Sequence, residues 1–316
     1  MATQTQNSAA SAPASAGRVD DMAMPVSAML FVMGTYLCFS MLDAAGKYLA
    51  STGLHVTFIV WVRFLVHGLL LFLVFKAWSQ RDVWRMARPG LHLMRAALLP
   101  TTTLFNFAAL QYLQLDQTMT VFLATPMVVT ALAGFILGEW AGPRRWAAIF
   151  VGFIGVVVVA RPGTSMFSPP ILLSIGATLT YSLYILLTRK LANSETPQSL
   201  NFFPTLVGTL MLLPFAFTHW ELPQTSLSAV VLFSTGVFGL AGHLLLIRAS
   251  KITSASKLAP FIYTQLLWMI ALGWIVFGDV PDFWTLFGAI IICSSGFYLM
   301  QREHHLRKMQ RQDAHA

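Results

Sequence analysis

Residues 121–137 read VFLATPMVVTALAGFIL, and nothing more polar than threonine interrupts them. Wound as a helix, this segment has no face to offer water, as a helix on the surface of a soluble protein must. The segment ends at Gly138-Glu139-Trp140, a turn follows at Ala141-Gly142-Pro143, and a further apolar block begins. That alternation runs through the chain of 316 residues, of which 56% are hydrophobic and 10% charged. Soluble domains carry roughly 25% charged residues, and helices that cross a bilayer need about twenty apolar residues each. The sequence therefore specifies an all-α integral membrane protein with the lipid bilayer as its surroundings.

Ten helices are expected, at about 26–49, 56–77, 92–111, 117–137, 143–161, 170–190, 198–217, 227–247, 255–277 and 283–301. Short linkers with turn signals separate them, among them Ser51-Thr52-Gly53, Arg88-Pro89-Gly90 and Arg161-Pro162-Gly163. Of the 20 Lys and Arg, 17 fall in the N-terminal tail, the even-numbered loops and the C-terminal tail. Lys47 and Arg161 alone lie on the opposite face, and Arg63 lies within a span. Basic residues stay on the cytoplasmic side, so both termini are expected there. This distribution also accounts for the net charge of +8 without nucleic acid. Residues 1–25 read as a disordered cytoplasmic tail rather than a signal peptide, and 302–316 as a basic cytoplasmic tail. Cys38 and Cys293 fall inside expected spans and read as small packing residues.

The chain also repeats itself. Residues 109–161 align without a gap on 249–301, so that Gly138-Glu139 meets Gly278-Asp279. Earlier, Phe39-Ser40 meets Tyr181-Ser182 and Lys47 meets Arg189. The repeats are 26–163 and 168–301, each with five helices. An odd number inverts the second copy relative to the first, an arrangement suited to transporters that expose a central site alternately to the two sides.

On these residues the chain resembles the drug/metabolite transporter superfamily in its EamA-type ten-helix branch. The resemblance rests on Ala108-Ala-Leu-Gln-Tyr-Leu, Leu123-Ala-Thr-Pro-Met, Leu137-Gly-Glu-Trp and Arg161-Pro-Gly, with a weaker counterpart in Phe277-Gly-Asp-Val. It covers about residues 29–301. Leu42-Asp-Ala-Ala-Gly-Lys-Tyr-Leu and Trp61-Val-Arg-Phe are similar to the subgroup of bacterial riboflavin and S-adenosylmethionine importers. The resemblance implies a secondary transporter of a small-molecule substrate, with riboflavin uptake leading and S-adenosylmethionine or an amino acid as the alternative. Asp279 departs from the family pattern, standing where Glu is usual.

Charges inside the spans are the candidate substrate contacts, since each costs about 2.5–3.5 kcal/mol to insert and needs a partner or a wet cavity. Asp43 and Lys47 share a helix face; they read either as an ion pair, with Lys47 reaching for the outer surface, or as a polar wall of the substrate cavity. Arg63 lies deep in the second helix and reads as a cavity residue or as a tie between the first two helices. Neither Asp43 nor Arg63 is demanded by the architecture, because Ile185 and Phe203 occupy the equivalent places in the second repeat. Asn106 can read a substrate or join helices, and Tyr36, Trp61, Tyr181 and Tyr263 supply rings for a flat heterocycle or for packing. His67 and His243 suit proton transfer or plain hydrogen bonding. Glu139 and Asp279 are expected to cap helix ends, Glu139 beside Arg144 and Arg145. Gly134 and Gly138 form a GxxxG for close helix contact, within the fold or in a homodimer.

No nucleophile elbow, HExxH or phosphate-binding loop appears, which disfavours a membrane-embedded enzyme, ATP hydrolysis, a metal site or a cofactor. A passive channel is disfavoured by the absence of a ring of like charges.

Overall fold

The computed structural model describes residues 24–163, 168–253 and 255–313, and among these there is no strand. Apart from Met24 and Pro25, the expected N-terminal tail lies outside the described residues. Ten helices are long and apolar enough to cross a membrane. We number them α1 (Val26–Ser51), α2 (Val56–Val74), α3 (Pro89–Leu110), α4 (Leu115–Leu137), α5 (Pro143–Ala160), α6 (Ile171–Leu191), α7 (Pro197–Thr218), α8 (Ser226–Ile252), α9 (Ala259–Phe277) and α10, whose span is Phe283–Arg302.

Local chemistry explains where they begin and stop. Pro89, Pro143 and Pro197 each open a helix, where a fixed φ helps and the missing N–H costs nothing. Pro89 thus starts α3 earlier than periodicity alone suggests. Two spans are not continuous. α4 consists of Leu115–Phe122 and Thr125–Leu137, with Pro126 just after the break. α9 begins as a 3-10 turn at Ala259–Phe261 and ends as a π-helix at Gly273–Phe277. The last helix continues to Asp313, through most of the expected C-terminal tail.

Helices pack mainly across the two halves: α1 with α8, α3 with α6, α2 with α7 and α5 with α10. α4 also packs on α6, α9 on α1, α7 on α3 and α8 on α2. When every helix is replaced by the one five places along, α2–α7 and α5–α10 return to themselves and each other pairing turns into another of the set. The α5–α10 pair stands at the periphery and presents Phe150, Phe153 and Ile290 outward, as lipid requires. Its crossing is close: a side chain on Gly155 would come within 3.0 Å of the Gly288 carbonyl, and one on Gly288 within 2.8 Å of the Gly155 carbonyl. The expected GxxxG contact on α4 takes another form. The Trp140 ring folds back over Gly134, and Gly138 is the left-handed residue that ends the helix.

Candidate substrate-binding site

Where the two halves meet, residues of seven helices surround a cavity with about 880 Å³ of empty space, some of it open to solvent. Tyr36, Phe39 and Asp43 come from one face of α1, at i, i+3 and i+7. α2 contributes Arg63; α3 contributes Thr102, Thr103 and Asn106; α4 contributes Met119 and Phe122. Tyr181 of α6, His243 of α8 and Gln265 of α9 complete the wall.

The polar centre is Arg63, whose residue is 5% exposed. Its Nη1 donates to Thr103 Oγ1 at 2.6 Å, and its guanidinium lies 4.6 Å from the Phe64 ring centroid. Thr103 donates its own hydroxyl hydrogen to the Leu99 carbonyl, which turns its oxygen lone pairs towards the arginine. Arg63 Nε is buried with no hydrogen-bond partner. Asp43 is near enough to interact electrostatically with Arg63, but its Oδ1 accepts instead from Asn106 Nδ2 at 3.0 Å. Acid, base and amide therefore stand side by side on one cavity wall with hydrogen-bonding capacity unspent. Rings line the same cavity: the centroids of Phe122 and Tyr181 lie 4.9 Å apart, their planes tilted by 35°.

Five of the expected residues, Tyr36, Asp43, Arg63, Asn106 and Tyr181, come together at this cavity, and three do not. Lys47 is not paired with Asp43. Its Nζ donates to Asp279 Oδ2 at 2.5 Å and sits 4.8 Å from the Phe277 ring centroid. One turn beyond Asp43, the end of α1 has passed the cavity and meets the loop after α9. Trp61 is buried against Phe58 and Trp220, with Nε1 unpartnered. Tyr263 packs its hydroxyl over Gly296 of α10. Glu139 binds Arg189 at 3.0 Å rather than Arg144 or Arg145, because the left-handed turn at Gly138 brings it to the end of α6. His67 lies behind the wall and stacks on His243 at 5.5 Å.

Sequence reasoning missed Thr102, Thr103, Phe122 and Gln265. Gln265 carried a usable signal, as an amide in an otherwise apolar span. The threonines carried none, since a hydroxyl bonded to the preceding turn is common in membrane helices. Arg95, one of the 17 basic residues counted with the tails and even-numbered loops, has a structural part that the count does not reveal. It is 2% exposed and donates to Thr188 Oγ1, the Leu200 carbonyl and Tyr184 Oη at 2.6, 2.7 and 2.8 Å.

Known proteins place this geometry in context. The model of the EamA-like transporter family matches twice, at residues 26–161 and 168–300. An S-adenosylmethionine uptake transporter of Rickettsia prowazekii is 30% identical over 83% of this chain and 88% of that protein. A riboflavin transporter of Vibrio cholerae is 26% identical over 91% of this chain and 97% of its own length. One of Brucella anthropi is 28% identical over 69% and 79%. A solved crystal structure overlays with a TM-score of 0.58 at 19% identity, covering 86% of this chain and 95% of that one, a likeness of fold alone. Ten apolar helices and these relatives describe a multi-pass transporter of the inner membrane and not an enzyme. The chain belongs to the EamA-like transporter family.

Proposed function

We propose that this chain is a secondary transporter that takes up a flat, ring-bearing metabolite by alternating access, with riboflavin as the first candidate. The observation that carries the reading is the central cavity, which a buried, incompletely bonded Arg63 lines together with the close ring pair of Phe122 and Tyr181. Rings such as Tyr181 and Phe122 suit the flat portion of the substrate, and Arg63, Asp43 and Asn106 its polar edge. Alternating access is supported by the repeat in the sequence and by packing pairs that exchange when the halves are exchanged. The distribution of Lys and Arg supports cytoplasmic termini and inverted halves.

S-adenosylmethionine is the second reading. Asp43 beside Arg63 offers an acid for an ammonium and a base for a carboxylate, as the amino-acid end of that molecule would need. Counterflow in proteoliposomes tests both. Labelled riboflavin should exchange saturably against unlabelled riboflavin, and S-adenosylmethionine should compete weakly. Exchange of S-adenosylmethionine alone would reverse the order, and exchange of neither would refute both substrates.

A further inference from the structure

We propose that Lys47–Asp279 and Arg189–Glu139 are gate residues, two matched latches that hold shut opposite ends of the transport path. The inference rests on the alternating-access reading. It begins with the repeat, in which Lys47 is equivalent to Arg189 and Glu139 to Asp279. Two residues that pair in space thus have, as their repeat equivalents, two residues that also pair in space.

The local geometry repeats as well. Each acid directly follows a left-handed glycine, Gly138 at φ 76° and Gly278 at φ 71°. Each acid also bonds its amide six residues back, Glu139 to the Ala133 carbonyl at 3.3 Å and Asp279 to the Gly273 carbonyl at 3.0 Å. A left-handed residue favours glycine, so both corners hold their carboxylates in the same attitude.

Each pair joins one half of the chain to the other. Lys47–Asp279 ties the end of α1 to the end of α9, and Arg189–Glu139 ties the end of α6 to the end of α4. These two seams are also walls of the cavity: Asp43 and Gln265 line it along the first, and Phe122 and Tyr181 along the second. Successive spans run in opposite directions, so the ends of α1 and α6 lie at opposite ends of the bundle. A substrate leaving the cavity at either end must open the seam there, and each seam carries one ion pair across its end.

The latches differ in strength. Lys47 and Asp279 are 17% and 21% exposed, 2.5 Å apart, with the ammonium beside the Phe277 ring. Arg189 and Glu139 are 43% and 53% exposed at 3.0 Å. Water screens an exposed pair far more than a shielded one. The Arg189 end is therefore the more readily opened.

The test reads accessibility and needs no substrate. In a Cys38→Ser, Cys293→Ser background, Thr102→Cys places one thiol in the cavity wall for a membrane-impermeant maleimide. Lys47→Ala should raise its labelling several-fold from the outer side only, and Arg189→Ala from the cytoplasmic side only. The exchanged pair Lys47→Asp with Asp279→Lys should return labelling to the parent rate. Labelling unchanged in both alanine variants, or raised equally from both sides, would make the pairs static braces and overturn the proposal. A failed riboflavin counterflow would refute the substrate reading and leave this result standing.

Discussion

Arg63 and Arg95 are both buried cations in a membrane protein, yet their surroundings have opposite logic. Arg95 donates from Nε, Nη1 and Nη2 to three acceptors on α6 and α7, and its guanidinium lies 4.4 Å from the Tyr184 ring centroid. Around it, Glu195 accepts from the amides of Ala87 and Arg88, and Ser199 donates to the Arg85 carbonyl. This cluster clamps the α2–α3 loop and α3 to α6 and α7. Arg63 has one hydrogen bond, a vacant Nε and a cavity before it. A buried charge is tolerable when its bonding is completed, whether by the protein or by something that arrives. Arg95 is completed by the fold, and Arg63 leaves room for a ligand.

The sharpest way to break this contrast is to remove each arginine in turn. Arg95→Leu leaves the Tyr184 hydroxyl and the Leu200 carbonyl without the donor that meets them, at about 1–3 kcal/mol for each buried group left unsatisfied. The expected outcome is loss of monodisperse protein in detergent; a wild-type melting temperature would remove Arg95 from its structural role. Arg63→Gln keeps a donor for Thr103 and should leave folded yield near wild type. Its loss appears in transport instead, as one charge-assisted hydrogen bond of about 2 kcal/mol, or ~30-fold in substrate affinity. Equal damage to folding from both substitutions would erase the distinction.

How much of this was legible beforehand follows the same divide. Helices and their order were readable because lipid imposes a long, uniform apolar signal, and charges in the loops checked the count. Arg63 and Asp43 were readable because charge inside a span is costly and therefore conspicuous. Arg95 was not, because it lies two turns from a basic loop and only its hydrogen bonds distinguish it from a topology charge. Lys47 read with its neighbour Asp43, as an ion pair or as cavity wall, while the acid it meets, Asp279, lies 232 residues away. Spacing along one helix reports what shares a face, and it is silent on what another helix brings to that face.

A smaller effect tests the clamp through pH. Burial acts to raise the Glu195 carboxyl, but the Arg88 and Ala87 amides and the nearby His92 outweigh it and hold it below the usual range. A carboxylate depressed in the folded state contributes stability that is complete above its unfolded value and is lost as pH falls through the folded one. Melting temperature should therefore drop as pH falls below about 4.5, the ordinary value for this group. Glu195→Gln should flatten that limb while lowering stability near neutrality. An unchanged acid limb in Glu195→Gln would place the acid sensitivity elsewhere.

The smallest expected change in stability is also the most informative, because it comes from two substitutions made together. Asp43→Asn alone keeps an oxygen for Asn106 but leaves Arg63 without its neighbouring negative charge, and should destabilise the fold. Adding Arg63→Gln removes the stranded cation while a donor to Thr103 remains. The double variant should then be more stable than Asp43→Asn, a coupling of about 0.5–3 kcal/mol between neighbours measured by a double-mutant cycle. Transport should not return, because the charges a substrate would meet in the cavity are gone. Recovery of both stability and uptake would reduce Asp43 and Arg63 to a tie between α1 and α2, with the substrate held by other groups. Recovery of stability alone separates what the fold requires of these two side chains from what the cavity requires of them.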